Sequence, residues 1–114
     1  MAIQNSLIGN TNTTVFQSTG DNAITSIIVC NLNPFDELNP ANNTYTVSLY
    51  VVPALEVSGS TTLPKHTIVN ELPITAGETL SLDQEKLVLS NGDTVFAVSD
   101  VADQLAITFS SLPV

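Results

Sequence analysis

At 114 residues the chain fits a single domain, long enough to bury a core of its own without disulfide or metal staples. Apolar residues make up 43% and charged residues only 11%, the reverse of a disordered composition, so the polar surface must come from Asn, Ser and Thr. Eleven acids against Lys65 and Lys86 leave a net charge of −9, which argues against nucleic acid and anionic membranes as partners.

The opening stretch MAIQNSLIGN has neither a basic start nor a long apolar core, so no signal peptide is expected and synthesis is cytoplasmic. No later apolar run is long enough to span a bilayer. The polar opening predicts an unpaired N-terminal arm over residues 1–13, followed by a β domain over 14–114. TVFQS is a first short strand, and NAITSIIVCN, β-branched and apolar on both faces near its end, is a central one. Cys30 stands alone inside it and reads as a packed, inert thiol.

Residues 31–43, NLNPFDELNPANN, form a long loop in which two Asn-Pro steps start turns and block helix. TYTVSLYVV then alternates with period two and sets Tyr45, Val47, Leu49 and Val51 on one face. A second long loop spans residues 53–65, and shorter strands follow in HTIVNEL, ETLSL, KLVL and TVFAV. SDVADQL predicts one short helical turn capped by Ser99, before a last strand, QLAITFSSL, with Leu105, Ile107, Phe109 and Leu112 toward one buried side. About eight strands at short intervals predict an antiparallel β-sandwich of jelly-roll or immunoglobulin-like type. Ile28, Val47, Leu49 and Ile107 are expected in its core.

Three glycine–acid pairs, Gly20-Asp21, Gly77-Glu78 and Gly92-Asp93, punctuate the chain. A calcium loop concentrates several acids at alternate positions, and each of these turns has one. They read as hinges in which glycine supplies positive φ, and neither metal nor cofactor is expected. Other features point the same way. His66, beside Lys65, reads as part of a solvated loop or a strand edge, and Asp83 and Glu85 as surface partners for Lys86. The sequons at Asn12 and Asn42 read as chance in a chain so rich in Asn and Thr. With no nucleophile motif and no paired catalytic acid, an enzyme is not expected.

The order LPITAGETLSL, EKLVLSNGDTVFAVS, QLAITFSSL, preceded by TVFQS, NAITSIIVCN and TYTVSLYVV, resembles a family of small phage virion proteins. The resemblance covers about residues 14–112 and extends in fold to β-sandwiches that serve as accessory proteins on tailed-phage particles. It implies a non-enzymatic structural component located in the virion, with capsid or tail subunits as partners and a homo-oligomer, for instance a trimer. A compact acidic domain suits a capsid decoration or cement protein first, and a neck, tail or fibre component second. The alternative is a receptor- or carbohydrate-binding module, for which a chain without Trp offers few aromatic platforms. The contact is expected at Phe35, Asp36, Glu37 and Leu38, where two large apolar side chains stand in a polar, stiffened loop, with the N-terminal arm as a second candidate; the alternative is that Phe35 folds back to cover an open end of the sandwich.

Overall fold

Two antiparallel sheets pack face to face in the computed structural model, which describes residues 2–39, 42–57, 64–82 and 87–114. The strands are β1 (Ala2–Leu7), β2 (Thr13–Gln17), β3 (Asn22–Asn31), β4 (Tyr45–Val52), β5 (Thr67–Ile74), β6 (Thr79–Leu82), β7 (Leu87–Leu89), β8 (Thr94–Ser99) and β9 (Leu105–Pro113). One sheet runs β1-β9-β3-β6, with β7 also paired to β3 further along the same edge; the other runs β2-β8-β4-β5. The molecule is thus the all-β sandwich expected. The charged Asp83, Glu85 and Lys86 lie outside the described residues.

Alternation builds the core. Val47 and Leu49 of β4, Val95 and Ala97 of β8, and Leu105, Ile107 and Phe109 of β9 are fully buried between the sheets. The rings of Phe16 and Phe109 meet across the interior with centroids 5.2 Å apart, tilted by 37°. Ser111, not Leu112, takes the next inward position on β9, because period two carries 105, 107, 109 and 111 to one side.

Ile28 is not in the core. A bulge between Ile24 and Ser26 shifts the phase of β3, so Ile24, Ile27 and Val29 point inward and Ile28 outward, 38% exposed. The expected unpaired arm is also corrected. Residues 2–7 form β1, paired along its length with β9, and the following turn is pinned where the Ile8 amide donates to the Leu105 carbonyl at 2.9 Å. β1 buries little side-chain surface, so its pairing rests on backbone hydrogen bonds.

No helical turn forms after Ser99. Residues 100–104 cross between the sheets as a turn, with Asp103 at φ 64° and its amide bonded to the Ile8 carbonyl at 3.0 Å. No helix among the described residues is long and apolar enough to cross a membrane.

The outer faces of the two sheets differ. On the β2-β8-β4-β5 sheet, Val52 and Phe96 face away from the core yet are 0% and 8% exposed. Short 3-10 turns at Ala54–Glu56 and Pro64–His66 flank the connection between β4 and β5, and the second lies against β4. His66, expected in a solvated loop or at a strand edge, is buried in that second turn, just before β5.

Candidate functional site

The three glycine turns are hinges. Gly20, Gly77 and Gly92 all have φ between 72° and 90°, where a side chain is strained. Two of them meet at one end of the sandwich: the Gly92 amide donates to the Ser18 carbonyl at 2.8 Å, and the Gly20 amide to Asn91 Oδ1 at 2.8 Å. The Asp93 carboxylate accepts from the amides of Ala54 at 2.9 Å and Ser90 at 2.8 Å. The Gly77 turn lies at the opposite end of β3, where the Asn31 amide donates to the Glu78 carbonyl at 3.0 Å. Among the described residues no group of three or more His, Cys, Asp or Glu side chains is placed to hold a metal.

The loop after β3 is built on Asn31, which is 2% exposed. Its Nδ2 donates to the carbonyls of Asn43 at 2.9 Å and Ile74 at 2.8 Å, while its Oδ1 accepts from the amide and side chain of Asn33, both at 3.0 Å. This amide closes the loop's base and satisfies a buried strand carbonyl in the same act. Further out, Asp36 Oδ1 accepts from the amides of Leu38 at 3.0 Å and Asn39 at 3.3 Å, and Oδ2 from Asn42 Nδ2 at 3.2 Å. An acid followed by two amides that need acceptors is the composition of an Asx turn.

The four residues singled out in the sequence therefore divide by role. Asp36 is the internal brace of the loop, Glu37 is exposed, Leu38 is 97% exposed, and Phe35 is 56% exposed. Phe35 leans on the Gly77 turn, where a Cβ added to Gly77 would come within 3.0 Å of the Phe35 Cβ. Glycine at 77 thus serves both its own backbone and the seating of the loop.

The Asn42 side-chain bond, followed by the Leu38 and Asn39 amides, holds the Asp36 carboxyl below its ordinary value of 3.8. On the β4–β5 connection, Lys65 and then His66 hold Glu56 below 4.5; its Oε1 lies 2.7 Å from Lys65 Nζ and 3.2 Å from His66 Nε2. His66 Nδ1 is buried and has no hydrogen-bond partner among the described residues. Both acids have depressed folded values, so the stability they contribute is present above the unfolded values and lost as pH falls through the folded ones. The difference in unfolding free energy between the native chain and Glu56→Gln should therefore shrink on acidification from about pH 5 to about pH 3. Urea unfolding at stepped pH checks it, and a constant difference would show that the carboxylate charge is not what Glu56 contributes.

A cavity of about 410 Å³ opens along one side of the sandwich, lined by Ile27, Ile68, Val69, Leu82 and Leu87. Those five side chains bring neither a polar group nor a ring to it, so they offer a sugar no hydrogen bond or stacking platform. His66 and the cavity escaped the sequence because both arise from contacts between distant segments. The loop was legible from two signals, its Asn-Pro steps and an aromatic residue out of place. No protein family, curated protein or solved structure matches the chain.

Proposed function

We propose that the protein is a non-enzymatic structural component of a phage particle, a capsid decoration or cement protein in the first place and a neck or tail component in the second. Its localisation is then the virion, and its partners are capsid or tail subunits and further copies of itself. The observation that supports this reading most is the bracing of the loop after β3, described over residues 31–39 and 42–43. Four hydrogen bonds of Asn31 and three of Asp36 hold it before any partner arrives. Preorganisation lowers the ordering cost of binding, and Phe35 and Leu38 then stand out as apolar anchors in a polar surround. An adhesive element on a rigid acidic sandwich is what attachment to a large symmetric surface requires.

The double substitution Phe35→Ser with Leu38→Ser tests the contact. Both side chains are exposed, so the isolated domain is expected to lose less than about 1 kcal/mol, as surface changes do. Affinity for the particle should drop at least tenfold, the effect of losing about 1.4 kcal/mol of binding, and occupancy measured at subsaturating protein should fall with it. If occupancy holds, the loop is not the contact; if purified virions lack the protein altogether, the particle reading itself fails.

A further inference from the structure

The five strands of the β1-β9-β3-β6 sheet, β7 included, contain no Asp, Glu, Lys or Arg. In a chain of net charge −9 this leaves, among the described residues, one broad surface without charge. The register fixes its outer face. One row across it reads Asn5, Thr108 and Ile28, with Asn5 Nδ2 donating to Thr108 Oγ1 at 2.8 Å, and Ile3, Leu7 and Leu112 stand around that row. These apolar side chains are 69%, 49% and 39% exposed, and Ile28 is 38% exposed. On the other sheet the Pro64–His66 turn lies against β4; this face is open among the described residues.

We propose that this face is where a second copy of the chain packs, face to face about a two-fold axis. Depletion of charge, rather than high hydrophobicity, is what marks the core of a protein interface. Charge also selects the occupant. A basic or acidic partner finds no counter-charge here, whereas an identical uncharged face is its own complement, as a two-fold contact requires. Two chains of −9 repel wherever their acid-bearing loops meet. The acids described fall on loops and turns, apart from Glu71 in the other sheet, so joining through this face keeps them at the rim.

Area agrees. The five strands, β1, β9, β3, β6 and β7, run to 6, 9, 10, 4 and 3 residues, and at about 3.3 Å along and about 4.8 Å across per residue they span roughly 500 Å² per copy. The pair would bury about 1,000 Å² in all, the size of weak, transient contacts, which predicts a dimer of modest affinity. This inference does not rest on the virion reading.

Sedimentation and light scattering up to roughly 1 mM protein, enough to populate a weak dimer, test it. The native chain should give a dimer mass whose dissociation hardly changes with salt, and Ile28→Glu with Thr108→Glu should be monomeric. Cys30, on the same face and half-buried, gives a readout that needs no variant: its reaction with a thiol reagent should slow several-fold as protein concentration rises. Phe35→Ser with Leu38→Ser should dimerise like the native chain, which separates this face from the particle contact. A monomer throughout, a trimer, or a dimer that leaves Cys30 equally reactive at all concentrations would overturn the proposal. So would loss of the dimer in the loop variant.

Discussion

Leu49→Ala should destabilise the domain by about 2–5 kcal/mol, whereas Ile28→Ala should cost well under about 1 kcal/mol. Leu49 lies mid-strand on β4, paired with Ala97 of β8 on one side and Val69 of β5 on the other, and none of it reaches solvent. Removing its terminal carbons leaves a void between two hydrogen-bonded sheets that cannot close without breaking ladder bonds. Ile28 is equally aliphatic and also sits in a central strand, but the β3 bulge turns it outward. Chemical unfolding of the two variants, with unchanged denaturant slopes, measures the contrast. Equal losses would mean that the inward phase of β3 resumes one residue earlier than the register shows.

The second large effect is expected at Asn31. Asn31→Ala removes four hydrogen bonds at once and leaves the Ile74 carbonyl without the donor that reaches it in the interior, a loss of about 2–4 kcal/mol. Asn31→Asp separates shape from hydrogen bonding. The volume is kept, but an acceptor-only carboxylate then faces the Asn43 and Ile74 carbonyls where two N–H groups stood. Repulsion and desolvation raise the folded pKa of that carboxyl, so the folded state binds its proton more tightly than the unfolded one. Stability of this variant should then rise on acidification, opposite in sign to the contribution of Glu56. An Asn31→Asp chain as stable as the native one at neutral pH would mean that the loop is held by backbone bonds alone, from the Asn31 amide to the Glu78 carbonyl and from the Leu32 amide to the Gln104 carbonyl.

The strands and hinges were legible because they have local causes. Period two in TYTVSLYVV set Val47 and Leu49 inward, and positive φ needed glycine at 20, 77 and 92. What escaped was either a phase slip or a contact across the sequence. The bulge at Thr25 changes which of Ile27 and Ile28 is buried without changing composition. β1 pairs through backbone groups, so AIQNSL carries no apolar alternation to announce it. His66 is buried where the Pro64–His66 turn lies against β4, a contact that no local pattern encodes. Of the loop, Phe35 and Leu38 drew attention by being apolar among polar neighbours. The clasp residue Asn31 did not, since one Asn among many is silent until its partners at 43 and 74 are known.

β9 lies between β1 and β3 in the hydrogen-bonded order although it follows every other strand in the chain. A ribosome therefore delivers the two flanks of that sheet long before the strand that joins them. Until Leu105–Pro113 emerges, β1 has no partner and β3 keeps an open edge. Only β4 and β5 are both consecutive in sequence and bonded to each other, so nearly every pairing closes a long loop, and chains wired this way fold in about milliseconds to seconds. During that wait, charged side chains are the usual guard against pairing with a neighbouring nascent chain, and these strands carry none.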